Sequence, residues 1–392
     1  MEVRPTRALE DLRELDRLTG GPEGARRVCW TPEWQRARAF LRERLEEIDG
    51  VSVEQDEAGN LWADLPGELD EAVAVGSHLD SVPDGGWLDG ALGVMAGLEL
   101  LRAAAESGRP RHTLKLIDFA DEEGARFGRS LFGSSAVAGT LDPQAVKDLS
   151  DDEGRAIADV LAEYDVELAR APRAAGRRKG LVAYLELHIE QGPVLESEGI
   201  AVAAVSGTFG VERHRFTFTG QASHAGTTPM DMRRDAGLAA ARTALAVERI
   251  AKEHGGVGTT GVLRLEPGIA TAVPGRAELV VDLRHREAAP LAAMLEAVRE
   301  AAGDAETAEI WRIEPIPFDE RLVAAALEAA GTGRTIPSGA LHDAAEMARH
   351  VPTAMMFTSS TNGLSHAPQE DTPEEHLEQA ISAFGRLAAG LI

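Results

Sequence analysis

Five short polar stretches carry residue types suited to hydrolytic chemistry. His78 and Asp80 stand in Gly-Ser-His-Leu-Asp-Ser-Val (76–82), directly after the apolar run Ala72–Gly76. An imidazole at the carboxyl end of a strand points into the crevice where open α/β sheets bind ligands. Asp80 can accept its other ring N–H and fix the tautomer, although a hydrogen-bonded surface pair uses the same two residues. Asp89 precedes a helical pattern in Trp-Leu-Asp-Gly-Ala-Leu-Gly, where a carboxylate serves either as a ligand or as an N-cap. Asp121, Glu122 and Glu123 follow the apolar segment Leu114–Ala120. Three adjacent carboxylates repel one another unless solvent or a cation neutralises them. In Leu-Glu-Leu-His-Ile-Glu-Gln-Gly-Pro, strand alternation puts Glu186, His188 and Glu190 on one face, and that polar face needs a partner. His366 lies in the loop Gly-Leu-Ser-His-Ala-Pro, as a ligand or merely exposed.

The combination narrows these alternatives. Each candidate ends or follows a different strand pattern, and together they offer only nitrogen and oxygen donors. Three histidines with two or three carboxylates exceed the four ligands of one tetrahedral zinc. They suit two divalent ions about 3.5–4 Å apart, bridged by one carboxylate and a water. The chain has one cysteine, Cys29, so a thiolate cage is excluded. Imidazole and carboxylate donors accept Zn or Mn, with Co and Ni also possible.

The elements that must hold these residues alternate along the first 140 positions. Helical spacing covers Glu33–Ile48 and Gly90–Ala105, and strand patterns cover Glu71–Gly76 and Thr113–Ala120. Such alternation implies an α/β sheet with helices on its faces. From Leu141 to Arg178 the chain turns charged and alanine-rich, with a helix expected over Asp152–Tyr164, a basic loop at Arg173–Lys179 and no evident chemistry. Strand character returns at Leu181–Glu190 and Ala201–Ser206. Then the order changes to strand Val211–Thr219, helix Arg233–His254, strands Gly261–Glu266 and Ala277–Arg284, helix Ala288–Ala302 and strand Glu309–Ile316. That β-α-β-β-α-β order is ferredoxin-like, so residues 207–317 read as a domain inserted into a parent made of 1–206 and 318–392. The parent closes with Asp319–Ala330, His342–His350, the strand Thr353–Thr358 and the helix Glu374–Leu391.

Composition fits a globular chain. Of 392 residues, 44% are apolar and 27% charged, and the formal net charge is −25. That acidity leaves no basic excess for nucleic acid or an anionic membrane surface and favours a small-molecule partner. The charged N-terminus Met1–Asp16 and the lack of an apolar run near 18 residues imply neither signal peptide nor membrane span. A cytoplasmic location is expected.

With its motifs in order, the sequence resembles the amidase branch of the di-zinc aminoacylase and exopeptidase superfamily, which includes L-carbamoylases, allantoate amidohydrolases and β-ureidopropionases. The shared motifs span nearly the whole chain. Besides 76–82, they are Leu-Asp-Gly-Ala-Leu-Gly-Val (88–94), Asp-Glu-Glu-Gly-Ala-Arg-Phe (121–127), Glu-Leu-His-Ile-Glu-Gln-Gly (186–192), Gly-Gln-Ala-Ser-His-Ala-Gly-Thr-Thr-Pro-Met (220–230), Asp-Leu-Arg (282–284), Ser-Gly-Ala-Leu-His-Asp-Ala (338–344) and Ser-His-Ala-Pro-Gln-Glu (365–370).

The resemblance implies a mixed-sheet, di-zinc-peptidase-like catalytic domain with the insertion as lid and dimerisation domain. It assigns one metal to His78, Asp89 and His188, and the other to Asp89, Glu123 and His366, with Glu122 as general base. Where peptidases of the superfamily usually offer a carboxylate, this chain has His188, which tilts the reading toward ureido substrates. The match to His224 implies an oxyanion-stabilising residue that reaches a homodimer partner's site. Arg284 matches a fork that fixes the substrate carboxylate, Gln191 a substrate-binding amide, and Gly339 and Ala340 a backbone segment beside the substrate.

Two positions depart from the pattern. Thr271 replaces the usual asparagine before Ala-Val-Pro-Gly, and Leu341 stands where glycine is usual before His342-Asp343. Both touch the expected pocket and bear on substrate identity. The expected function is hydrolysis of an N-carbamoyl-L-amino acid to amino acid, carbon dioxide and ammonia. An allantoate-type ureido substrate is the alternative, followed by N-acyl aminoacylase or peptidase activity.

Overall fold

The strand Leu69–His78 is buried from Ala72 onward, the pattern of an inner strand covered on both faces. It pairs in parallel with His112–Phe119 and Leu181–Ile189, and the latter pairs in parallel with Thr353–Thr358. All four carboxyl ends therefore lie along one edge of the sheet. Antiparallel strands flank this centre: Leu61–Leu65 and Ser52–Gln55 on one side, Val202–Thr208 on the other. The result is a mixed α/β sheet.

One core cluster joins the helices Pro5–Thr19, Pro32–Glu46, Ala91–Ser107 and Glu374–Ala389 to the sheet through residues such as Leu12, Leu41, Leu98, Leu187 and Phe384. The other face is covered by an aromatic cluster of Trp30, Trp34, Phe119, Phe132, Tyr184 and Phe357. The computed structural model describes residues 1–392. The chain divides into two units, 1–206 with 317–392, and 207–316. No helix is long and apolar enough to cross a membrane.

Several expected elements differ. The helix expected over Asp152–Tyr164 is confined to Ile157–Ala162. The Asp151 carboxylate accepts the backbone N–H groups of Glu153 and Arg155, and Gly154 takes a left-handed φ of 78°; such local capping competes with helix. The basic segment expected as a loop forms a 3₁₀ helix, Ala171–Arg178, whose buried Ala171 and Ala174 join the aromatic cluster. The segment 342–350 yields only the short helix Asp343–Met347. The charged N-terminus forms the amphipathic helix Pro5–Thr19, with Ala8, Leu9, Leu12 and Leu15 on its buried face.

The unit 207–316 contains four antiparallel strands in the spatial order Val257–Glu266, Arg276–His285, Gly210–Thr219, Glu306–Ile313. Its helices, Ala236–His254 and Ala288–Ala302, bury Val247, Ile250, Leu291, Met294 and Val298 against Phe216, Phe218, Leu279 and Val281 on one sheet face. The opposite face is laced with charge: Arg213 and Arg284 both pair with Asp282, and Arg215 and Arg264 both pair with Glu278.

Candidate metal centre

The parallel strands set the positions of the candidate donors. His78 is the last residue of Leu69–His78 and lies opposite Phe119, so the carboxylates at 121–123 emerge beside it. His188 occupies the adjacent strand, paired with Phe357. Asp89 comes from the loop before the helix Ala91–Ser107, where Gly90 is the cap and no side chain caps the helix. The N-cap role open to Asp89 in the sequence is therefore unused. Gly90 has φ 64°, and a Cβ there would lie 2.4–2.5 Å from the His78 ring, so glycine is what lets the two ligand segments close.

Two donor triads result, His78–Asp89–His188 and Asp89–Glu123–His366, and Asp89 belongs to both. His188 Nε2 lies 3.1 Å from Asp89 Oδ1, and His366 Nε2 lies 3.2 Å from Asp89 Oδ2 and 3.4 Å from Glu123 Oε2. His78 Nε2 stands 3.7 Å from both Asp89 Oδ1 and Glu122 Oε2. His78 Nδ1 donates to the Asp80 carbonyl at 3.0 Å and His188 Nδ1 to the Ile189 carbonyl at 2.9 Å. Both rings therefore turn Nε2 toward the site, the tautomer a metal ligand needs.

The expected role of Asp80 changes in detail. Its backbone carbonyl, rather than its carboxylate, holds the His78 ring, since Oδ1 is 3.7 Å from Nδ1. The Asp80 carboxylate accepts the backbone N–H groups of Glu122 and Glu123 at 3.2 and 3.1 Å and so orients the acidic turn. Asp121 begins that turn with φ 57° and accepts the Trp30 indole N–H at 3.1 Å. The polar face of the His188 strand finds separate partners. Glu186 accepts the Ser77 hydroxyl, the Tyr184 hydroxyl and the Ala344 N–H. Glu190 accepts the N–H groups of Val194 and Leu195, capping a short helix away from the triads.

The electrostatics describe buried carboxylates and imidazoles that shift one another's ionisation. Burial, then repulsion from Glu123, Asp343, Asp80 and Asp89, pushes the Glu122 carboxyl well above its ordinary range. Burial and Asp89 push Glu123 to about 8. Burial opposes ionisation of Asp89, yet hydrogen bonds from His188 and His366 hold it well below the usual value. Burial likewise opposes charging of His188, but Asp89 raises it to about 9; at His366 the hydrogen bond to Asp89 is the main cause of a rise to about 9. One Glu123 oxygen, Oε1, is buried with no hydrogen-bond partner. Nitrogen and oxygen donors, two triads sharing one carboxylate, and a buried unpartnered oxygen together fit divalent cations.

Gln191 joins this group, donating from Nε2 to Asp89 Oδ2 at 2.7 Å and to Ser365 Oγ at 3.1 Å. Gly339 and Ala340 form a turn after the strand Thr335–Ser338, pinned by Ser338 Oγ, which contacts the Ala340 backbone and His342 Nε2. The remaining expected residues lie in the inserted unit. His224 is exposed, and its Nδ1 accepts the Gly226 N–H at 3.1 Å. Its short strand pairs with Ala272–Val273, and the Ala225 N–H donates to the Thr271 carbonyl, so residues distant in sequence become neighbours. Arg233 braces this loop by donating to the Thr228 and Ala225 carbonyls. Arg284, next to last in the strand Arg276–His285, has its Nε 2.8 Å from Asp282 Oδ1.

Sequence reasoning missed supporting residues, Trp30, Asp118 and Glu370 among them. Asp118 accepts the Leu79 N–H and pairs with buried Arg38. Glu370 closes the motif that contains His366, the one signal that pointed to it.

Residues 74–390 match the peptidase family M20/M25/M40, and the chain belongs to that family. It is 37% identical, over 95% of each chain, to the N-carbamoyl-L-amino acid amidohydrolase of Geobacillus stearothermophilus. It is 34% identical to the allantoate amidohydrolase of Escherichia coli (strain K12), over 92% of this chain and 91% of that one. The crystal structure of an amidase of the hydantoinase/carbamoylase family from Burkholderia multivorans matches with a TM-score of 0.89 at 33% identity, covering 99% of this chain and 98% of that one.

Proposed function

We propose that this protein is a metal-dependent amidohydrolase that cleaves the ureido C–N bond of N-carbamoyl-L-amino acids, releasing amino acid, carbon dioxide and ammonia. The carrying observation is the pair of donor triads that share Asp89, with Glu122 3.7 Å from the His78 ring nitrogen. His78, Asp89 and His188 would hold one divalent ion, and Asp89, Glu123 and His366 the other. Ions bound there polarise the scissile carbonyl and lower the pKa of water. Glu122 then accepts the proton of the attacking water and delivers it to the leaving nitrogen. Glu122 is only 8% exposed, which keeps bulk water from competing for that proton.

In this reading, Arg284 grips the substrate carboxylate through its planar fork, and Gln191, Thr271, Gly339 and Ala340 line the substrate. His224 stabilises the oxyanion in the site of a second copy. A homodimer through the inserted unit is supported by its edge strand Val257–Glu266, which exposes Val257, Leu263 and Leu265, and by Leu245, exposed on the helix Ala236–His254. An open strand edge with apolar side chains invites pairing. We place the enzyme in the cytoplasm, in keeping with its single cysteine, Cys29, buried and free.

Allantoate is the second reading, favoured by the similarity to the Escherichia coli allantoate amidohydrolase. Ammonia release from a panel of N-carbamoyl-L-amino acids, allantoate, N-acetyl amino acids and dipeptides, with Zn or Mn added, separates the readings. Cleavage of dipeptides alone would overturn the proposal. Asp89→Ala should lose both metal and turnover, and full activity in metal-free protein would end the metal mechanism.

A further inference from the structure

Glu370 is a carboxylate with 2% exposure, placed among the buried acids of the metal centre. Burying a charge is costly unless it is hydrogen-bonded. Its two oxygens are fully engaged. Oε1 accepts the backbone N–H groups of Leu88 and Asp89 at 3.1 and 3.0 Å, and Oε2 accepts the Ser365 hydroxyl at 2.8 Å. Asp89 is the residue common to both triads, and Ser365 directly precedes His366. Ser365 Oγ also lies 3.2 Å from Asp89 Oδ2 and accepts the Gln191 amide. One side chain therefore joins two loops from opposite ends of the chain, each carrying a candidate ligand. His366 itself sits at φ 54°, a backbone that a non-glycine residue keeps only when its surroundings enforce it.

The approach is made possible by Gly86. A Cβ at that position would lie 2.0 Å from Glu370 Cδ and Oε1, so any larger residue pushes the carboxylate off the Leu88 and Asp89 amides. The donors and acceptors at Glu370 do not overlap with the atoms of either triad. Its carboxylate is spent on backbone and hydroxyl groups, which leaves it outside any ligand set.

We propose that Glu370 is a positioning residue that staples the Asp89 loop to the His366 loop and thereby sets the retention of both metal ions. This rests on the assignment of Asp89 and His366 as ligands. Because Asp89 is shared, loosening its loop weakens both ions, whereas loss of His366 alone weakens one. Groups that orient metal ligands typically contribute about 10–100-fold in affinity.

The test measures metal per chain and the rate of zinc transfer to a chromophoric chelator, with thermal melting followed on the same samples. Glu370→Ala is expected to speed release of both ions about 10–100-fold. Glu370→Gln keeps a carbonyl for the two N–H groups and should lie nearer the parent protein. If Glu370→Ala does not fold, Gly86→Ala perturbs the same contact from the other side and should reproduce the faster release. His366→Ala should release one ion quickly and hold the other. Parent-like release from Glu370→Ala or Gly86→Ala, in a protein whose Asp89→Ala variant loses metal, overturns the staple. Retention of metal by Asp89→Ala instead overturns the underlying ligand assignment.

Discussion

In the sheet unit, His78, Asp89 and His188 are at most 3% exposed and held through backbone carbonyls or N–H groups, whereas His366 is exposed and faces the Asp89 and Glu123 carboxylates. In the inserted unit, His224 and Thr271 are exposed, and Arg284 is partly so and pairs with Asp282 on its own strand. The first arrangement is pre-organised: the geometry of the centre is over-determined by its supports, as the Asp80 and Glu370 carboxylates illustrate. The second is braced at the backbone, by Arg233 and the Ser223–Val273 pairing, while the His224 and Thr271 side chains stay exposed.

The largest effect expected on this contrast is at Glu122. Glu122→Gln preserves shape and should lower kcat by about 10²–10⁴-fold, with metal content unchanged by elemental analysis. Near-normal turnover would remove the general base from the buried centre. His224→Ala should lower kcat by about 10²–10³-fold, the magnitude of losing an oxyanion donor, also without metal loss. Mixing His224→Ala and Glu122→Gln chains should restore partial activity, because one of the two composite sites in a heterodimer then holds both groups. Absence of recovery after verified subunit exchange would show that the inserted unit serves its own chain.

A smaller effect is expected at Arg284. Lysine keeps the charge and loses the planar fork, so Arg284→Lys should lower kcat/KM about 10–100-fold, the range for a charge-assisted hydrogen bond of about 1.5–3 kcal/mol. The primary amides of the same substrates should be poor for the parent enzyme. An unchanged kcat/KM, together with equal turnover of carboxylate-free ureides, would move substrate recognition away from Arg284. The smallest effect is at Thr271. Thr271→Asn adds a longer amide donor and should improve kcat/KM for simple N-carbamoyl-L-amino acids by about tenfold or less, with about 1 kcal/mol being typical of one hydrogen bond. A decrease would favour a substrate that uses the threonine.

How far the chain could be read in advance differs between these regions for a physical reason. The strand ends and donor types of the sheet unit were legible, because inner parallel strands are continuous apolar runs and donor chemistry is a property of residue type. The alternation within 186–190 also marked a polar face. It did not reveal that Glu186 turns to Ser77 and Tyr184 while Glu190 caps a neighbouring helix, since those partners come from other strands and loops. Asp89 could be read equally well as a cap, and the choice depended on where His188 and His366 fell in space. The helix expected over Asp152–Tyr164 is shortened to Ile157–Ala162 because Asp151 and Gly154 settle the backbone before it locally.

Residue identity and local pattern therefore determined the kinds of donors and the strand patterns that carry them, both of which depend on chemistry carried within short windows of chain. Tertiary structure alone decided which imidazole nitrogen faces inward, that Asp80 holds His78 through its carbonyl, and that Glu370 joins residues 88–89 to 365. Those outcomes depend on hydrogen-bond directions and close approaches between segments up to 282 residues apart, and no local sequence window contains both partners.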